Sequence, residues 1–509
     1  MQNPKSKIQN PNKMQILKSQ EFGFKGFGFN LLFKSRHSEL LKKRAQLGSI
    51  LIYNIIIIFI FSLVLLGVLA YAAIQLRVIR SSVSRELAFQ VAEAGVNYYQ
   101  WRLAHFPDDY WDGNATSTPG PYVHEYYDTD TNQKVGEFSL EIIEPPVGST
   151  IVTIVSTGHA VENPNIKRAI TVKYGRPSLA KYAFLTNNDV WIGDTESVSG
   201  QLHANGGIRF DGSGDAPITS SKNDRPVPGP GYQCYSYHGC NSPWQWKPGI
   251  WGIAPASTQA FWQMSVPNVP FSSITSDFQS IELLAQGQAN LPPSTRQGYS
   301  LVFKINGTID VYKVYSLRSH QTGYDVNNVA HSENLDYNSR VFQYNMPMPA
   351  NGVIFVKDHV WVEGVVNGRV VVAATKYTSS PSSQARILIP DNLTYLAKDG
   401  SHSLGLIAER DILITYFAPS DLEINAAMIA QNGSAQRYYF PGNTKNSISI
   451  YGSTASFGVW TWSWVDGSGN CTSGYCNTST VYDANLLYAP PPSFPLTPEG
   501  YRQIWWESD

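Results

Sequence analysis

The sequence predicts an α+β chain: a long N-terminal transmembrane helix, a small β domain beyond it, and then a mainly β domain arranged as a parallel β-solenoid. Three observations predict it. No charged residue stands between Arg44 and Arg77; alternating apolar segments follow a Pro-free helical stretch; and from about residue 179 the apolar residues come in short runs cornered by Gly and Asn. The 509 residues ask for more than one folding unit, because single cores rarely grow beyond roughly 250–300 residues.

Residues 50–73 read ILIYNIIIIFIFSLVLLGVLAYAA. As a helix they cover roughly 36 Å, against a hydrocarbon core of about 30 Å. A cleaved secretory signal would have an apolar region of only about 7–15 residues. Residues 1–48 carry ten Lys or Arg and two Glu, +8, so the total of −1 leaves −9 for residues 49–509. Lys- and Arg-rich flanks stay cytoplasmic, which places this basic leader inside and the rest of a single-pass protein outside. No basic field remains beyond the leader, so nucleic acid is not expected as a partner. Residues 74–105 contain no Pro. Leu76, Ile79, Val83, Leu87, Val91, Ala94, Tyr98 and Trp101 recur there at spacings of three and four, one apolar stripe on a helix that prolongs the span to a break near Phe106-Pro107.

The stretch 107–176 holds strand signals at 135–143, 151–156 and 168–174, which predict a helix packed on a small antiparallel sheet. Within it, Asp128-Thr-Asp130-Thr-Asn132 offers oxygens at alternate positions, as calcium loops do. It lacks the glycine at loop position six and has Ser139 at position twelve, so it reads as a plain turn.

Residues 177–480 form the β-rich domain. Its segment Gly405-Leu-Ile-Ala408 recurs as Ala427-Met-Ile-Ala430 twenty-two residues later, a period that suits one coil of a parallel solenoid; an antiparallel sandwich is the alternative. Residues 214–345 read as an insertion, with a helix over 273–285 and a hairpin about Asn306-Gly307. Residues 481–509 read as a Pro- and aromatic-rich C-terminal tail.

The four cysteines fall in two local pairs, Cys234 with Cys240 and Cys471 with Cys476, which outside a membrane read as two small disulfide loops, with cross-pairing between them left open. Zinc ligands sit closer in sequence. Thirteen Trp raise the question of carbohydrate stacking, with surface glycans as the partner; Trp244, Trp246, Trp251 and Trp262 are the contact candidates, and Trp460, Trp462 and Trp464 share an alternate face. The competing reading has these rings filling the core or covering loops. No nucleophile elbow, phosphate loop or metal-spaced His set is present, and His203, His238, His331, His359 and His402 are scattered. Asp189, Asp194, Asp211 and Asp215 read as solenoid corners. No catalytic residue, cofactor or metal is therefore expected.

The basic leader ending in Gly48, the small Ser49, the apolar span and Arg85-Glu-Leu-Ala-Phe-Gln-Val-Ala-Glu-Ala-Gly95 together resemble the type IV pilin and pseudopilin superfamily, its minor-pilin members in particular, over about residues 42–175. The resemblance implies that prepilin peptidase cuts after Gly48 and methylates Ser49, that residues 49–106 form the span and its amphipathic continuation, and that other pilin-like subunits are partners. It also implies that 107–176 is the pilin-like β domain. Tyr53 stands where the family usually has Glu at mature position five, a departure shared with some tip-located minor pseudopilins. Residues 198–211 and 360–368 resemble the "VxGxVxxNGxI" rungs of pilin-linked and polymer-forming envelope proteins. The implied function is surface attachment or assembly at the tip of a type IV pilus-type filament. An anchored glycan-active surface enzyme and an envelope protein that never polymerises are the alternatives.

Overall fold

The structure, a computed structural model, describes residues 47–116, 118–240, 243–271, 277–466 and 470–509. Leader residues 1–46 lie outside the described residues. The chain divides into two units after Arg77. Helix α1 (Leu47–His105) is a single element of 59 residues. From Ile50 to Val83 its large apolar side chains are all exposed, and it is long and apolar enough to cross a membrane. Burial begins at Ser84 and follows Ala88, Val91, Ala92, Val96, Tyr99 and Leu103. This line differs from the expected stripe. Leu76, Ile79, Val83 and Trp101 are exposed, and of the predicted positions only Val91 is fully buried. The helix turns its small residues inward because they allow the closer approach.

The partner of that line is an antiparallel sheet of β1 (Tyr122–Tyr127), β2 (Lys134–Ile143), β3 (Ile151–Ala160) and β4 (Asn163–Gly175), paired in sequence order. β3 alternates half-buried and buried residues along its whole length, the period of a strand with one face on a core. Phe138, Leu140, Val152, Ile154, Ile170, Val172 and Tyr174 pack there with Val91, Val96, Tyr99 and Leu103. The end of the chain returns to this sheet: Arg502–Ser508 pairs antiparallel with β4, Trp506 opposite Val172. The stretch 481–509 thus ends in an ordered strand. Its partner lies far back in the sequence, so local pattern could not indicate it.

The β-rich part is one large mixed sheet of 22 strands among the described residues. Most pairings are parallel ladders. Val353–Val356, Arg369–Ala374, Ser403–Ala408, Asp421–Ala430 and Thr444–Ser456 stack in turn. Val360–Val366, Ile387–Ile389, Ile412–Ile414 and Ala435–Gln436 form a second ladder. A third links Leu393–Tyr395 to Asp421–Ala430, and then Thr444–Ser456 to Cys471–Tyr482. The twenty-two-residue recurrence is a register: Gly405 pairs with Ala427 and Ala408 with Ala430. Leu404, Leu406, Ile424, Met428, Ile448 and Ile450 join one continuous core, each full burial contributing about 1.5–3 kcal/mol.

Early strands do not lie beneath later ones. Phe184–Thr186 pairs with Thr454 to Ser456 and Glu196–Ser199 with Thr478 to Val481; Leu202–Ala204, Ile218–Ser220 and Trp262–Gln263 follow outward. Residues 214–345 therefore also supply ladder strands. Gly298–Phe303 is another, parallel to Val360–Val366, and it turns through Asn306-Gly307 into the antiparallel strand Thr308–Leu317. Gly307 takes φ +78°, which a hairpin corner requires and glycine adopts without strain. A helix spans Phe278–Ala285, its N-terminus capped by the Asp277 side chain, which accepts from the Gln279 N–H. The expected positions 273–276 lie outside the described residues.

Candidate functional site

Where α1 meets the small sheet, three glycines allow close approach, and at Gly158 backbone meets backbone. A Cβ on Gly158 would collide with the Ala88 carbonyl oxygen and the Ala92 nitrogen, one on Gly95 with the Phe138 ring, and one on Gly136 with Val91. The run Ala88-Phe-Gln-Val-Ala-Glu-Ala-Gly95 is thus a groove-forming segment, with Glu93 and Glu86 left exposed on the opposite side. Asn163 Nδ2 donates to Ser84 Oγ at 2.7 Å where this contact begins. Where it ends, Tyr99 Oη donates to the Asp109 carbonyl at 2.6 Å and Arg102 Nε to Asp109 Oδ2 at 2.9 Å, holding the chain reversal after Pro107.

Gly48 and Ser49 lie in the first turn of α1, and Tyr53 follows on the exposed apolar surface. Cys234 is bonded to Cys240 and Cys471 to Cys476. Asp128 Oδ1 accepts from the N–H groups of Asp130 and Thr131 and from Thr131 Oγ1, a side-chain-closed turn. Among the described residues no three His, Cys, Asp or Glu side chains come together to hold a metal.

The four candidate tryptophans do not converge. Trp244, 39% exposed, stands edge-on to Trp246 at 5.3 Å. Trp251 packs on the Tyr232, Cys234 and Cys240 cluster with the Lys247 ammonium 4.4 Å from its ring. Trp262 lies against the ladder core, which Trp460 and Trp462 join outright.

A different set of rings does converge. Trp191, Trp460 and Trp464, with Asp194, Glu196 and His238, border a cavity of about 120 Å³. One disulfide loop, Cys234–Cys240, reaches it through His238; the strand Ser463–Val465, which carries Trp464, is backed by the strand Cys471–Tyr482. The sequence pattern marks Asp194 only as a solenoid corner and gives Trp191 no role. Only the meeting of residues 191–196, 238 and 460–465 could have shown the cavity. Burial pushes the Glu196 carboxyl up to about 7, the Asp194 charge adding to this while bonds from the Gly193 N–H and the Thr478 hydroxyl oppose it. Burial, aided by Arg209, pushes His238 down to about 4.

The raised Glu196 carboxyl holds its proton more tightly in the folded chain than at the ordinary value of 4.5, so its contribution to stability falls as pH rises from about 4.5 to about 7. Glu196→Gln does not titrate and keeps an acceptor for Gly193. Against wild type it is expected to gain on the order of 3 kcal/mol by pH 8 and nothing below pH 4. Thermal unfolding of both proteins across that range checks this; a difference independent of pH would contradict it.

No protein-family model matches the sequence, and no curated protein does. Among solved structures, the competence-associated pilin ComZ from Thermus thermophilus aligns with 84% of this chain and 97% of its own at 13% identity. The TM-score is 0.28, too low a superposition to carry an argument about either fold or function.

Proposed function

We propose that the chain is a membrane-anchored, minor-pilin-like protein that presents a large β-rich passenger outside the cell at the tip of a pilus-type filament. The observation that carries this reading is α1 itself. One helix has a first half whose apolar side chains are all exposed, and a second half whose small residues seat on an antiparallel sheet. A soluble domain has no use for the first half; lipid or the matching helices of neighbouring subunits would cover it. On this reading prepilin peptidase cuts after Gly48 and 107–176 is the pilin-like head. The in-register parallel ladders support a β-solenoid passenger, and the two disulfides suit an oxidising compartment. Tyr53 in place of a carboxylate, and a passenger of residues 177–509 that would crowd neighbours in a filament shaft, favour the tip.

The test joins the mature N-terminus to the location. Mass spectrometry is expected to find a methylated Ser49 in the wild type and in Ser49→Ala the corresponding alanine, whereas Gly48→Leu keeps its leader. Immunogold against the passenger is expected at filament ends. A retained leader in all three proteins would refute the processing, and labelling along the shaft or only on the cell body would refute the tip.

A further inference from the structure

The cavity bordered by Trp191, Trp460 and Trp464 has features of a built site. Its rings are oriented before any ligand arrives: Trp191 Nε1 donates to Asp211 Oδ2 at 2.8 Å with the Arg209 guanidinium 4.0 Å from the ring centre, and Trp464 Nε1 donates to the Arg437 carbonyl at 2.9 Å. Trp460 packs 4.6 Å from Phe184, and its buried Nε1 has no partner. At the mouth Asp194 and Thr195 are exposed, and Asp194 makes no hydrogen bond or ion pair among the described residues. We propose that this cavity is a carbohydrate subsite that takes one sugar ring of a surface glycan.

The combination of groups selects that chemistry. Flat indoles meet the apolar C–H face of a sugar ring, and fixed rings lose no side-chain freedom on binding. The free Asp194 carboxylate accepts from ring hydroxyls, and the Thr195 hydroxyl can donate or accept as a sugar requires. A purely apolar ligand would leave Asp194 unused. Glu196, whose carboxyl is pushed up to about 7 by burial, adds a polar group at the inner wall. The proposal does not depend on filament assembly, because every residue belongs to the β-rich part of the chain.

The test uses the full chain in detergent on a glycan array, followed by titration of the retained monosaccharide with tryptophan fluorescence as readout. Glycans sharing one sugar are expected to be retained. Asp194→Asn and Trp464→Leu are each expected to weaken binding about tenfold or more, as removal of one charge-assisted or stacking contact does. Trp244→Leu, outside the cavity, is expected to bind as wild type. Because Trp464→Leu removes a bond to Arg437, its unfolding temperature is compared with wild type, and the exposed Asp194→Asn decides the matter if that variant is unstable. No retained glycan, or undiminished binding in Asp194→Asn, overturns the proposal.

Discussion

Replacing Gly158 by valine is expected to lift α1 from the small sheet and to cost about 3 kcal/mol or more, at the upper end of the overpacking range. The reason lies in what the new side chain would meet. Its Cβ would stand on the Ala88 carbonyl oxygen and the Ala92 nitrogen, which are backbone atoms and cannot rotate away. The helix must shift as a body, and the shift opens the cluster of Val91, Tyr99, Leu103, Phe138 and Ile154. Limited proteolysis should then cut near Phe106 and along β1 at protease levels the wild type survives. Gly500→Ala is the control, since nothing lies within 4 Å of a Cβ there, and it should stay within about 0.5 kcal/mol. Wild-type protease resistance and unfolding temperature in Gly158→Val would remove the backbone contact from the account of this fold.

A second large effect is expected from two neighbouring positions on one strand. Ile450 is 1% exposed, pairs with Ile424 and Thr480, and points into the ladder core; Ser449 beside it is exposed. Strand geometry sends successive side chains to opposite faces. Ile450→Asp would bury a carboxylate without a partner, a change costing several kcal/mol, and the β-rich part is expected to fail to accumulate in folded form at 37 °C. Ser449→Lys leaves its charge in water, beside Glu423 on the neighbouring strand, and should lie within about 0.5 kcal/mol of wild type. Circular dichroism and thermal unfolding of the two variants read this directly. Equal behaviour of the pair would mean that the strand's register is not the one described.

The parts of the fold legible in the sequence were those written in one local run. The charge-free span, the Asn306-Gly307 hairpin and the twenty-two-residue recurrence each depend on neighbours or on a fixed period, and each could be read residue by residue. The inner face of α1 could not. Pattern reading weights large apolar side chains, while the contact uses Ala88, Ala92 and Gly95, whose value is the volume they lack. The C-terminal strand was hidden for another reason, because its partner β4 lies over 300 residues earlier and nothing in Arg502–Ser508 marks that pairing. The cavity was hidden twice over. Its lining comes from widely separated segments, and the tryptophans clustered at 244 to 262 are not among it.

The order of the ladders has a consequence for how the chain matures. Phe184–Thr186 pairs on one edge with Leu202–Ala204 and Glu196–Ser199 on one edge with Ser213–Gly214, but their other edges pair with residues 454–456 and 478–481, so one side of the first β-rich strands stays uncovered until the last ones exist. The small sheet waits likewise for Arg502–Ser508 at its edge. Such distant pairings delay folding and leave apolar edges uncovered meanwhile. Synthesis of residues 454–508 therefore acts as a release signal for both regions. A nascent chain must be held soluble through most of its translation, and a prematurely terminated one is left with sticky, unpaired strands fit for degradation.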